Sequence, residues 1–245
     1  MSTKSAILHI GLPKTGSTSL QRYLRDHPDL LRDQGFELWE TDFLGRPNHA
    51  ALYLTALRDG VETFGTIRFG ARDRSELRRQ TRDSIHRFVE GSQAERLIFT
   101  SEGLSLLRTP EECRRVRDLF PDDLDIRVIL MLRDKADWLR SYAGQIVKTR
   151  GRRPSRDPAS ALYVEPDTWL LDFDRLVECY QAVFGPITIL DYDTDRAVQR
   201  VFDAMGLVPG DDLGGYRFNV RASGPRPSRA ARLLARLGLR RLRSP

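Results

Sequence analysis

Apolar residues along this chain fall into short, nearly continuous runs separated by longer stretches with helical spacing. Ala6-Ile7-Leu8 with Ile10, Leu97-Ile98-Phe99, Ile126 to Leu132, and Ile187 to Leu190 are runs of strand length. Phe36-Glu37-Leu38-Trp39 is a weaker fifth strand, set off by Gly35, which ends a short helix starting near His27. Between these runs the apolar positions recur every three to four residues. Leu20, Tyr23 and Leu24 share one face of a helix that begins at Ser17. Leu52, Ala56 and Leu57 do so over 49–57, and Leu77, Ile85, Phe88 and Val89 over 73–90. Further helices are predicted over 111–120, 135–148, 169–184 and 194–205, the last closed by Gly206. Buried strands that alternate with helices imply right-handed crossovers. The predicted fold class is therefore α/β, a three-layer parallel sheet flanked by helices.

The loop between the first strand and first helix is the most informative stretch. Gly11-Leu12-Pro13-Lys14-Thr15-Gly16 leads directly into Ser17-Thr18. A strand, a Gly-bearing loop and a helix N-terminus present free N–H groups and the positive end of a helix dipole. Gly16 lets a ligand approach the backbone, Lys14 adds a mobile cation, and Thr15, Ser17 and Thr18 add hydroxyls. The expected ligand is a phosphate-like group. A nucleotide triphosphate loop reads G-x-x-x-x-G-K-[ST], and Gly11 and Gly16 have that separation. Ser17, however, stands where that loop needs its lysine.

Composition narrows the picture in a few respects. The 245 residues suffice for one large domain over 1–224, followed by a tail over 225–245. The tail departs from the rest: Tyr216 onward carries no Asp or Glu. Arginines at 229, 232, 236, 240, 241 and 243 alternate there with leucines. That is a basic amphipathic helix suited to an anionic membrane surface or an acidic partner; a helix packed on its own domain or a disordered tail is the favoured reading. The net charge of +6 suits an anionic ligand without specifying it. No run approaches the ~20 apolar residues of a membrane span. Cys113 and Cys179 lack metal-type spacing and read as free thiols of a reducing, cytoplasmic setting. The segment 149–166, rich in Arg, Pro and Ser, reads as a mobile loop or lid.

Pro13-Lys14-Thr15-Gly16-Ser17-Thr18 resembles the 5′-phosphosulfate loop of the sulfotransferases, Pro-Lys-[Ser/Thr]-Gly-[Ser/Thr]-Thr, at every position. A second stretch extends the resemblance. Arg133 follows the strongest strand, and Ser141 stands eight residues later on the next helix. In the family, an Arg and a Ser so placed hold the 3′-phosphate of the donor PAPS (3′-phosphoadenosine 5′-phosphosulfate). The resemblance runs from Ala6 to about Ser223 and includes Arg217, where family members return basic residues to that phosphate. Cytosolic small-molecule members carry Trp after the second Thr. Ser19 stands here, which is more similar to bacterial or carbohydrate-type members.

The resemblance implies a PAPS-dependent transferase that releases PAP (adenosine 3′,5′-bisphosphate) and needs no metal. It implies an acceptor with a free hydroxyl or amine, such as a glycan, a glycolipid or a small alcohol, and no nucleic-acid partner. Lys14, Thr15, Gly16, Ser17, Thr18, Arg133, Ser141 and Arg217 are then the donor-binding residues, and Lys14 also steadies the leaving oxygen. Family members use a Glu or a His as base. Glu102 is the first candidate, because it follows a strand at the edge where parallel sheets place ligands. A carboxylate that only caps a helix dipole is the competing reading. His49, at a helix start, is the second candidate, with simple capping as its competing role. The alternative class is a nucleotide kinase or nucleotide-binding protein with a degenerate Walker loop. Asp134 would be its nearest magnesium-holding residue.

Overall fold

A computed structural model of the chain describes residues 4–40, 44, 49–70, 72–149 and 153–216. Arg217 and the basic tail lie outside the described residues. Five strands form one sheet: β1 Ser5–Gly11, β2 Phe36–Leu38, β3 Arg96–Thr100, β4 Asp125–Leu132 and β5 Thr188–Asp191. Their order is β2-β3-β1-β4-β5, and every pairing is parallel. The helices are α1 Ser17–Asp26, α2 Pro28–Asp33, α3 Ala50–Leu54, α4 Phe64–Phe69, α5 Arg74–Gly91, α6 Pro110–Arg117, α7 Lys135–Lys148, α8 Phe173–Phe184 and α9 Ala197–Met205.

Side-chain alternation on the strands explains the three layers. Ala6, Leu8 and Ile10 of β1 face a core shared with Leu97, Phe99, Val128 and Leu130 and with α3, α5, α6, α7 and α8. Ile7, Ile98, Ile129 and Met131 face the other side, against α1, α2 and α9. Both faces are covered, so the strands read as continuous apolar runs.

Several boundaries differ from the sequence pattern. The helix expected over 49–57 is regular only over Ala50–Leu54. The one expected over 169–184 is a 3-10 turn, Trp169–Leu171, before α8. The helix expected from 194 begins at Ala197. The pattern missed α4, a short helix started by a Thr63–Thr66 capping box.

The segment 149–166 was expected to be a mobile loop or lid; its described part is loop, but residues 160–162 are held against the core. Ser160, Ala161 and Leu162 are buried. Ala161 N–H donates to Glu62 O at 2.9 Å, and Tyr142 Oη donates to Ala161 O at 3.1 Å. The register reason is simple: two small residues and a leucine lie flat against the core, where an Arg- and Pro-rich composition does not reveal them.

Candidate active site

Parallel pairing aligns the carboxyl ends of three neighbouring strands. His9 of β1 pairs with Thr100 of β3 and with Ile129 of β4. The residues that follow, Lys14, Glu102 and Arg133, therefore emerge at one edge of the sheet. A cleft of about 930 Å³ opens there. Its wall includes Lys14, Gly16, Ser17 and Thr18, then Glu102, Arg133 and Ser141.

The loop over Gly11–Gly16 is shaped by backbone that few side chains allow. Lys14 has φ 72° and Gly16 has φ 89°, both left-handed. Gly11 lies against Ser17, whose Oγ would be 2.0 Å from a Cβ at that position. Only glycine lets the two segments meet so closely. Thr15 is buried, and its hydroxyl donates to Leu12 O at 2.6 Å, so it braces the loop from within. Its N–H also donates to Leu12 O. Among the described residues the N–H groups of Gly16, Ser17 and Thr18 have no intramolecular acceptor. No acid occupies the first turn of α1. These donors and the helix dipole together make a cradle for an anion.

Helix α7 fixes the loop from the side. Trp138 Nε1 donates to Pro13 O at 2.9 Å, and Trp138 stacks on Tyr142. Ser141, Gly144, Gln145 and Lys148 all line the cleft. Their spacing puts them on one face of α7. Arg133 donates from Nη1 to Lys14 O at 3.1 Å, and its Cζ sits 4.7 Å above the Tyr192 ring. Tyr192 is placed by its own N–H, which donates to Leu132 O. The guanidinium of Arg133 is thus held between the Lys14 carbonyl and the Tyr192 ring at the cleft wall.

Glu102 opens a 3-10 turn, Glu102–Leu106, directly after β3. Its side chain is half-buried in the cleft wall. Burial pushes its pKa up to about 7, while the Lys14 charge and the Ser17 hydroxyl pull the other way. Ser17 Oγ lies close enough to lower that pKa, though it meets no acceptor in full hydrogen-bond geometry among the described residues. Glu112 is a useful contrast. It is buried too, but it accepts from the N–H groups of Arg58, Arg108 and Thr109 and from the Arg58 guanidinium. That carboxylate is consumed by structure, and Glu102 is not.

His49 is placed differently from its expected position at the cleft. It is buried, does not line the cleft, and packs edge-on against Trp39. Its Nδ1 accepts from Thr100 N–H at 3.0 Å. Burial pushes its pKa down to about 3, against a hydrogen bond to the Trp39 backbone. The reason is local: His49 takes left-handed backbone at the α3 N-cap, which turns its ring toward β3. His9, which the sequence pattern did not single out, is a second buried histidine. Its Nδ1 shares a 2.8 Å hydrogen bond with Thr100 Oγ1, and burial pushes its pKa down to about 4. Asp134, the metal-holding candidate of the kinase reading, caps α7 by accepting from Asp137 N–H and does not line the cleft.

No protein-family model matches the chain, and no curated protein matches it. Solved structures do. A sulfotransferase from Alicyclobacillus acidocaldarius aligns over 96% of this chain and 92% of its own, with a TM-score of 0.53 and 17% identity. The chain shares the fold of that sulfotransferase. A tunicamycin resistance protein from Deinococcus radiodurans aligns over 84% of this chain and 98% of its own, at TM-score 0.45 and 14% identity. That second likeness is too distant to bear on the site.

Tyr192, Gln145 and Lys148 were missed by sequence reasoning. Gln145 and Lys148 had a signal, since they continue the helical face of Ser141 at four and seven residues. Tyr192 had none, because its position under Arg133 depends on how β5 pairs with β4. No described helix is long and apolar enough to cross a membrane.

Proposed function

We propose that this protein transfers a sulfuryl group from PAPS to a hydroxyl or amine of an acceptor and releases PAP. The observation that carries the reading is the convergence of Lys14, Glu102, Arg133 and Ser141 on one cleft beside the N–H groups of Gly16, Ser17 and Thr18, which have no acceptor among the described residues. The fold shared with a sulfotransferase supports it.

Each residue then has a defined task. The N–H groups of Gly16, Ser17 and Thr18 and the hydroxyls of Ser17 and Thr18 hold the 5′-phosphosulfate. Arg133 and Ser141 hold the 3′-phosphate, and Arg217 joins them. The acceptor oxygen or nitrogen attacks sulfur as the bond to the bridging oxygen breaks. Negative charge develops on that oxygen, and the Lys14 ammonium stabilises it. Glu102 takes the acceptor's proton, for which a pKa near 7 is well matched at neutral pH. The acceptor class is a glycan, a glycolipid or a small alcohol. The test is a transfer screen with sulfur-labelled PAPS across those three classes. Transfer to any of them with release of PAP supports the reading; stable PAPS binding without transfer to any acceptor counts against it.

A further inference from the structure

The chain contains two cysteines, and the fold brings them together. Cys113 lies on α6 and Cys179 on α8, 66 residues apart in sequence, yet their Sγ atoms are 3.3 Å from each other. Both are buried and unbridged. Neither belongs to the cleft or to any step of the proposed reaction.

Buried cysteines usually behave as small inert hydrophobes. This pair has two features beyond proximity. The first is a polarised hydrogen bond. Cys113 donates to Cys179, and Cys179 in turn donates to the carbonyls of Leu176 and Leu107. The second is a cation. Arg108 is buried beside the pair and donates to Ser105 O, Leu107 O and Leu170 O, so its position is fixed. The Cys113 hydrogen bond, then the Arg108 charge, hold Cys179 below the ordinary thiol pKa against burial; Cys113 is pushed up. Cys179 therefore loses its proton more readily and becomes the attacking sulfur, while Cys113 keeps its proton longer. Glu112 and Tyr180 also face the pair, and Tyr180 Oη is engaged with Leu104 O.

We propose that Cys113 and Cys179 form a closable dithiol, which becomes an intramolecular disulfide joining α6 to α8 when the protein meets a disulfide oxidant. Cys179 thiolate attacks one sulfur of the oxidant and expels the first thiol. Cys113, losing its proton, attacks Cys179 Sγ and expels the second. Two electrons and two protons pass from the pair to the oxidant, which leaves as two thiols. The sulfurs must close by little more than an ångström, which a χ1 rotation on each helix can supply. The bond would also tighten the 3-10 turn that begins at Glu102 and the Leu107 that follows it, because Tyr180 donates to Leu104 O and Cys179 to Leu107 O.

The experiment incubates the full chain with oxidised glutathione in urea at the foot of its unfolding transition, where buried thiols open repeatedly. After return to buffer, free thiols are alkylated under denaturing conditions and the intact mass is read. The expected product takes up no alkyl group, is about 2 Da lighter than the reduced chain, and gives a peptide linking Cys113 to Cys179. Its Tm rises on the order of 5–10 °C, because the bond closes a long loop in the unfolded chain. Cys113→Ala should abolish the rise. Two alkylated thiols, a stable glutathione adduct on the wild-type chain, or a disulfide between two chains would each overturn the proposal.

Discussion

The guanidinium of Arg133 donates to the backbone carbonyl of Lys14 at 3.1 Å. One residue closes β4 and the other sits in the loop after β1, so this bond ties together the two ends of the proposed donor site. It holds Lys14 in left-handed backbone, φ 72°, which a lysine adopts only when its surroundings compensate. Arg133 therefore both shapes the loop and offers its fork to the cleft.

That double role sets the outcome of its removal. Arg133→Ala should weaken PAP binding by ~10-fold or more, the scale of a lost charge-assisted fork. Binding of adenosine 5′-phosphosulfate, which lacks the 3′-phosphate, should weaken less than about threefold through the loop alone. Calorimetry with both ligands separates the two effects. Equal losses would assign Arg133 to the loop and remove it from the 3′-phosphate.

Ligand class is tested by thermal shift. PAP without metal should raise Tm more than ATP with magnesium does, since binding to the folded state alone stabilises by mass action. A larger shift with ATP and magnesium would favour the nucleotide-kinase reading.

Gly11 faces the Ser17 hydroxyl so closely that a methyl group cannot be added without moving it. Gly11→Ala should therefore leave a folded protein that binds PAP at least ~10-fold more weakly, through a displaced loop. Circular dichroism checks the fold and calorimetry the affinity. Unchanged affinity would mean that Ser17 can turn away at no cost.

Glu102 and His49 make opposite claims on the proton. Glu102→Gln keeps the shape of the side chain and removes its basicity, so turnover should fall by about 100-fold or more with PAP binding retained. His49→Asn should change turnover little, because His49 is buried behind β3. In the wild type, kcat/KM should rise as pH increases toward the Glu102 pKa of about 7, then level off. Near-normal turnover of Glu102→Gln with an inactive His49→Asn would exchange the two roles.

Stability should depend on pH through the same groups. His9 and His49 are buried neutral, with pKa values pushed down to about 4 and about 3. Their contribution is complete above pH ~6.5 and is lost as pH falls toward those values, at about 1.4 kcal/mol per pH unit for each proton. Glu102 acts in the opposite sense. Its raised pKa favours the folded state below about pH 4.5, and that contribution is lost as pH rises through about 7. Between those limits it offsets about one of the two histidines. Denaturant titrations should show steeper acid destabilisation in Glu102→Gln than in the wild type. Parallel curves would mean that Glu102 is charged throughout.

Mostly apolar runs in 6–10, 97–99 and 126–132, interrupted only by His9 and Arg127, determined a parallel, two-sided sheet, because strands buried on both faces need no regular polar alternation. Gly11, Gly16 and the hydroxyl residues after them made the loop legible as a candidate anion site, because a glycine-bearing turn into a helix N-terminus is a local feature, whereas the left-handed backbone of Lys14 also depends on the distant Arg133. Contacts between distant segments were decided only by the tertiary structure. Strand order put Glu102 beside Lys14 and Ser17, and burial at that edge moved its pKa, which no neighbour in sequence could do. The same packing turned His49 away from the cleft, placed Tyr192 under Arg133, pinned Ser160–Leu162 to the core and brought Cys113 to Cys179. Local periodicity records which face of an element is buried, but not which element buries it.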